Sequence, residues 1–181
     1  MIFTPTILAG SYLIGLEPFN DNRGWFARFF SKDEFKQIGH QKEWLQLNHS
    51  MTYQKGTLRG MHFQRAPFSE IKLVRCIAGA VFDVIVDLRK ESATFLKWYG
   101  AELSEINQDM MYIPEGFAHG FQALTENCQL IYHHSEVYTP QAESGILFND
   151  PVLNIQWPLP VKTLSEKDAH YVYIDSQFKG I

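Results

Sequence analysis

The sequence predicts an all-β fold with a few short helices. Runs of β-branched and aromatic residues alternate with period two, recur at short spacing, and are bounded by Gly, Pro, Asn and Asp. Helical signals are few, and neither an internal repeat nor a Ser- or Gly-rich linker interrupts the chain. The 181 residues therefore read as one domain, 1–181, with long N- and C-terminal arms, and 45% apolar and 14% aromatic residues suffice for one substantial core.

Taken in order, Phe3-Thr4-Pro5-Thr6-Ile7 is a strand-like start. Ser31-Lys32-Asp33-Glu34 has the capping-box pattern and opens a short helix through Phe35 that stops near Gly39. Lys72–Ile77 is the clearest strand. Ala78-Gly79 reads as a turn into a second strand, Val81–Leu88, so a hairpin with Lys72 at its entrance is expected. In the second strand Phe82, Val84, Val86 and Leu88 share one face, and Val81, Asp83, Ile85 and Asp87 the other. Leu130–His134 has a strand context in which His133 and His134 point to opposite faces, so they do not form a metal pair. Ser165-Glu166-Lys167-Asp168 repeats the capping pattern shortly after Pro158 and Pro160. The two thiols, Cys76 and Cys128, do not indicate a disulfide framework and are expected to be buried and inert.

Charge and composition narrow the partners. Sixteen Lys and Arg against 20 Asp and Glu leave a net charge of −4 with no basic run, which argues against nucleic acid. Met1-Ile2-Phe3-Thr4-Pro5-Thr6 lacks a basic stretch followed by an apolar signal core, and no segment approaches bilayer-spanning length. A cytoplasmic protein without a membrane association is expected.

Two stretches carry the chemistry: Leu58-Arg59-Gly60-Met61-His62-Phe63-Gln64 and Ile113-Pro114-Glu115-Gly116-Phe117-Ala118-His119-Gly120-Phe121. They follow the pattern of cupin barrels, in which a Gly, five residues and His-x-His precede a Glu and then Pro-x-Gly-x-x-His. Gly56 leads to His62 at the right spacing, but Gln64 replaces the second histidine and Glu70 comes late. A cupin-like jelly-roll barrel follows as the expected architecture. Zinc and iron sites need three or four converging N, O or S donors, so two histidines predict acid/base chemistry with no metal and no cofactor.

Either histidine alone would read as a hydrogen-bonded structural residue. Together at this spacing, flanked by glycine and aromatics, they are aimed into one barrel mouth. An imidazole takes a proton from carbon when a carboxylate fixes its tautomer. Asp168 is a candidate for that carboxylate, although as a first-turn helix residue it is equally explained by the helix dipole. Lys72 and Arg59 are the cations nearest the motifs, and a lysine opening an apolar strand suits a developing enolate oxygen. Arg23, in a turn, suits a phosphate, and Tyr132 has a strand context that ordinarily means packing.

At these residues the chain resembles the dTDP-4-dehydrorhamnose 3,5-epimerase family, metal-free cupin-like enzymes of nucleotide-sugar and cell-surface polysaccharide biosynthesis. The similarity runs through Asp21-x-Arg23-Gly24-x-Phe26, Gln46-x-Asn48-x-Ser50, the two histidine stretches, Lys72-Leu73-Val74 and Val84–Arg89. It continues through Glu143, Asn149-Asp150-Pro151, Ile155-x-Trp157-Pro158 and Leu164-Ser165-x-Lys167-Asp168.

The resemblance implies a base, His62, oriented by Asp168, an acid, Tyr132, on the opposite face, and Lys72 with His119 at the enolate oxygen. It implies Arg23 and Arg59 on the pyrophosphate, Gln46, Asn48, Phe19 and Phe26 on the nucleotide, and Tyr138 on the sugar pocket. It also implies a homodimer in which an N-terminal strand joins the partner's sheet. Two positions depart from the family pattern: Arg28 stands where an acidic residue is common, and His133 where a lysine often follows the tyrosine. If Arg28 approaches the base it only donates, which suits cytosine better than thymine, so the substrate is expected to be a dTDP sugar with CDP as the alternative. Motifs do not separate double epimerisation at C3 and C5 from action at one carbon. A non-catalytic sugar-binding barrel and a metal-dependent cupin enzyme are the rivals from other classes.

Overall fold

The computed structural model describes all residues, 1–181. In chain order the strands are β1 (Ile2–Pro5), β2 (Tyr12–Gly15), β3 (Phe19–Asp21), β4 (Gly24–Phe26), β5 (Gln46–Thr52), β6 (Leu58–Gln64) and β7 (Lys72–Ala78). They continue with β8 (Ala80–Asp87), β9 (Trp98–Ser104), β10 (Met110–Ile113), β11 (Phe117–Ala123), β12 (Cys128–His134) and β13 (Glu143–Gly145). Helices are confined to α1 (Lys32–Phe35), a 3-10 turn at Lys36–Ile38, and α2 (Glu166–Ala169). No helix is long and apolar enough to cross a membrane.

Two antiparallel sheets result, one of six strands in the order β1-β2-β10-β7-β12-β5 and one of five in the order β13-β6-β11-β8-β9. Between them lies a core to which β7, β10 and β12 contribute Val74, Cys76, Met111, Ile113 and Leu130, and β8 and β11 contribute Val81, Ile85, Phe117 and Phe121. The arms cover the outer faces. Met61, Phe63, Val84, Val86 and Leu88 pack under Ile146, Leu153 and Ile155 of the C-terminal arm. Across the molecule Ile14, Leu73, Met110 and Tyr112 pack with Phe35, the buried residue of α1. This explains why β8 is apolar on both faces: each has a cover, and every fully buried Val, Leu, Ile, Phe or Met contributes about 1.5–3 kcal/mol. Cys76 and Cys128 are buried and unpaired, as expected, and burial pushes the Cys76 thiol up to about 12.

Two expectations need correction. β7 and β8 do not form a hairpin: β7 bonds to β10 and β12, β8 to β11 and β9, and the Ala78-Gly79 corner carries the chain from one sheet to the other. Alternation cannot distinguish the two cases, because both strands still turn one face to the same core. At α1 the helix forms and ends at Gly39 (φ 80°), but Ser31 makes no side-chain cap, and Glu34 reaches Arg28 and the N-terminal amine instead. Ser165 does cap α2, accepting the Asp168 N–H at 3.0 Å. Within the chain, β1 pairs antiparallel with β2, Ile2 opposite Gly15 through Pro5 opposite Tyr12.

Candidate active site

At one end of the sandwich the apolar core gives way to polar residues from both sheets. His62 on β6 and His119 on β11 lie directly opposite each other in register, so both point inward from the five-stranded sheet. From the six-stranded sheet, Tyr132 sits opposite Asn48 of β5, and His134 opposite both Gln46 of β5 and Lys72 of β7. His62, His119, Lys72, Arg59, Asn48 and Tyr132 line a cavity of about 250 Å³, with Ser50 and His134. An adjoining recess brings in Gln46, Glu70, Tyr138 and Glu143.

His62 Nε2 donates to Asp168 Oδ1 at 2.7 Å. The carboxylate only accepts, so Nε2 carries the hydrogen and Nδ1 keeps a lone pair for the substrate. The C-terminal arm delivers Asp168 from α2, 106 residues away, and its other oxygen accepts the Gly60 N–H at 3.1 Å. Gly60 is required there, because its φ is +127° and a Cβ would lie 2.5 Å from the Gly120 Cα. Burial pushes the Asp168 carboxyl up, but the hydrogen bonds from His62 and Gly60, with the imidazole's charge once it is protonated, outweigh it, and the net is below the ordinary carboxylate range.

A second imidazole–carboxylate pair stands beside the first: His119 Nε2 to Asp83 Oδ1 at 2.7 Å. Asp83 lies on the face of β8 that alternation assigns it, yet nothing local in the sequence linked it to His119. Tyr132 hydrogen-bonds Ser50 through its hydroxyl at 3.0 Å. Burial pushes that phenol far above its ordinary range, which keeps it protonated and able to donate. Lys72 Nζ meets Glu70 at 3.1 Å with both side chains about a tenth exposed. Arg59 spends its donors on neutral partners, Thr52 Oγ1 and the Met51 carbonyl, both at 3.1 Å, leaving its charge uncancelled at the cavity.

Four sequence-predicted residues are not brought to this cavity. Phe19, Arg23 and Phe26 lie on the β3–β4 ribbon, which bonds to neither large sheet and lines a separate recess. Arg23 there pairs with Asp21 at 2.5 Å and its side chain is 84% exposed. Arg28 pairs with Glu34 at 3.1 Å. The ribbon has no surface of its own chain to rest on, and a linear reading has no means of seeing that. Tyr138 stands at the rim, half exposed, its hydroxyl on Glu143 at 2.6 Å.

Sequence reasoning left Ser50, Asp83 and His134 without a role, set Glu70 aside as out of register, and missed Tyr171, whose ring packs edge-on to His62 at 5.9 Å. His134 had a usable signal, because period two puts it on the same face as Tyr132. No group of three or more His, Cys, Asp or Glu side chains is arranged as a metal site.

Comparison with known proteins identifies the family. The family model for dTDP-4-dehydrorhamnose 3,5-epimerase matches residues 5–176. The chain is 43% identical over 162 residues to the Shigella flexneri dTDP-4-dehydrorhamnose 3,5-epimerase, covering 88% of this chain and 89% of that one. Among solved structures, the Elizabethkingia anophelis enzyme of that name superimposes with a TM-score of 0.94 at 38% identity over 98% of both chains. The Legionella pneumophila dTDP-6-deoxy-D-glucose-3,5-epimerase, in complex with dTDP-4-keto-L-rhamnose, superimposes with a TM-score of 0.90 at 37% identity, covering 98% of this chain and 96% of that one. With its fold and nearly its whole length matched, this chain belongs to the dTDP-4-dehydrorhamnose 3,5-epimerase family.

Proposed function

We propose that the chain, as one domain over residues 1–181, epimerises a dTDP-linked 4-keto-6-deoxyhexose at C3 and C5, converting dTDP-4-dehydro-6-deoxy-D-glucose to dTDP-4-dehydro-L-rhamnose. The observation that carries this is the opposition, across one cavity, of the His62–Asp168 pair from one side and the Tyr132 phenol from the other sheet, with Lys72 lining the same cavity. A C–H beside a ketone is a very weak acid. Removing it takes a positioned base and a cation or donor at the oxygen where charge gathers, each worth roughly 10²-fold or more in rate.

His62 Nδ1 takes the proton, and Asp168 holds the resulting imidazolium. Lys72, with His119, stabilises the enolate oxygen. Tyr132 returns a proton from the opposite face, so the carbon inverts. The sequence of removal and return is repeated at the second carbon, and between rounds the proton on His62 leaves to solvent while the Tyr132 phenolate takes one back from it. No metal or redox step enters this scheme. Arg59 receives the pyrophosphate, Gln46 and Asn48 face the nucleotide end, and Tyr138 lines the sugar pocket. A nucleotide-activated sugar as substrate fits the cytoplasmic location expected from the sequence.

The ribbon residues enter through a homodimer, in which β3–β4 of one chain reaches the partner's cavity with Phe19, Arg23 and Phe26. What supports this is exposure without function in the single chain: Phe19 is 73% and Phe26 74% exposed, and the edge strand β5 shows Leu47 at 61%. Incubation of substrate in D₂O is the test of the reaction. Exchange at both C3 and C5 is expected, and exchange at one carbon only rejects double epimerisation. Titration with dTDP and CDP tests the nucleotide, with preference for CDP overturning the choice.

A further inference from the structure

Along the wall of the cavity and its adjoining recess, the structure contains a run of hydrogen bonds whose direction is forced from end to end. It starts at the Tyr138 backbone N–H, which donates to Gln46 Oε1 at 3.0 Å. A backbone N–H can only donate, so the Gln46 amide must present oxygen there and nitrogen at its other corner. That nitrogen donates to Asn48 Oδ1 at 3.1 Å. The Asn48 amide nitrogen in turn faces His134 Nε2 at 3.3 Å, which calls for a lone pair on Nε2 and the hydrogen on Nδ1. His134 Nδ1 meets Glu70 Oε2 at 2.6 Å, and a carboxylate completes the run because it can only accept. The other Glu70 oxygen holds Lys72 Nζ at 3.1 Å.

The side chains of Glu70 and His134 are each about a tenth exposed, so water does not freely replace the bond between them, whereas the amide end of the run at Asn48 is open to solvent. The burial of Glu70 raises its carboxyl, and the His134 and Lys72 contacts reverse that, leaving it below the ordinary range. The imidazole also lies stacked beside the Tyr132 ring, centroids 6.1 Å apart at 25°. One buried carboxylate is thus linked to the cation at the sugar end of the cavity and, through one imidazole, to two amides at its nucleotide end.

We infer that Glu70 and His134 are positioning residues that hold the Asn48 amide, and through it Gln46, in the orientation the Tyr138 N–H demands from the other end, so that their donors and acceptors stay fixed toward the nucleotide, while Glu70 independently fixes Lys72. The inference rests on the proposed function, in which these amides face the nucleotide. Without the His134 acceptor, Asn48 loses the partner that fixes its orientation, and Gln46 loses the partner that Asn48 orients. Glutamine at 134 supplies a donor for Glu70 and an acceptor for Asn48, whereas phenylalanine keeps the stacked ring and supplies neither.

Calorimetric titration of the intact protein with dTDP, paired with steady-state kinetics on the dTDP sugar, tests it. His134→Phe is expected to raise the dTDP dissociation constant roughly 10-fold, with KM rising more than kcat falls, and His134→Gln to recover most of the affinity. Glu70→Gln is expected to lower kcat as well, because Lys72 loses its anion. In a Gln46→Ala background, His134→Phe is expected to cost little further affinity, since the run is already cut. Equal affinity of wild type and His134→Phe, equal loss in the Phe and Gln variants, or full additivity with Gln46→Ala each overturns the inference. Should His134→Phe fail to fold, His134→Leu, which also supplies neither donor nor acceptor, decides by the same coupling with Gln46→Ala. Wild-type protein that does not bind dTDP at all would instead sink the proposed function.

Discussion

Arg59 and Arg23 are both arginines next to aromatic and glycine residues, and both read from sequence as pyrophosphate ligands, yet the fold treats them oppositely. Arg59 rises from a central strand into the cavity and is held by a hydroxyl and a carbonyl, which fix its geometry without cancelling its charge. Arg23 sits on a two-stranded ribbon, its charge met by Asp21 two residues away. A residue becomes part of a site when the fold gives it neighbours that leave its chemistry unspent. The ribbon lacks such neighbours within one chain, and its aromatics face solvent.

The largest expected effect lies at the centre of the assembled region. His62→Ala should reduce deuterium incorporation at both carbons by roughly 10²- to 10⁴-fold with the fold intact, read by mass spectrometry and circular dichroism. Unchanged incorporation would remove the imidazole from the chemistry. Tyr132→Phe should lower formation of inverted product by roughly 10²-fold while His62-dependent exchange persists, because removal and return of the proton use different groups. If exchange and inversion fall together, the two-sided assignment fails.

Hybrid dimers compare the two arginine regions directly. Arg23→Ala and His62→Ala chains, each inactive or nearly so, should recover about a quarter of wild-type activity when co-expressed, because half the dimers are mixed and each has one complete site. The same experiment with Arg59→Ala in place of Arg23→Ala should recover nothing, since Arg59 and His62 share one chain's cavity. Recovery in both pairs, or in neither, would contradict the division between cavity and ribbon.

A smaller effect separates the two carboxylates on the inner face of β8. Asp83 serves His119, whereas Asp87 is enclosed by Arg89, Ser92 and Thr94 at the far end of the strand. Burial raises the Asp87 carboxyl, but those hydrogen bonds bring it down to about 2. A folded-state value below the unfolded one means stability that is present above about pH 4 and lost as pH falls toward the folded value. Asp87→Asn should therefore cost ~2 kcal/mol near neutrality and flatten the acid limb of the stability curve, measured by denaturant unfolding across pH, with dTDP binding retained. An unaltered acid limb would show that Asp87 does not contribute in this way.

Much of the site was legible one strand at a time. Period two assigned Asp83 and Asp87 to one face of β8 and separated His133 from His134, and the motif spacing picked out His62 and His119, which the fold sets in register. Glu70, by contrast, looked out of place because a metal pattern was the yardstick, and its true neighbours, Lys72 and His134, come from two different strands. The expected hairpin at Ala78-Gly79 failed for the same reason: alternation states which way a side chain points, not which strand lies alongside.

By itself, then, the sequence determined the all-β class, the inward direction of the reactive side chains and the family to which they belong, because these follow from local alternation and from residue types at set spacings. Only the tertiary structure decided that Asp168 reaches His62 across 106 residues, that Glu70 links Lys72 to His134, and that the β3–β4 ribbon stands apart from its own cavity. Those outcomes depend on which distant segments bury surface against each other, and that is a property of the whole chain's packing rather than of any stretch of it.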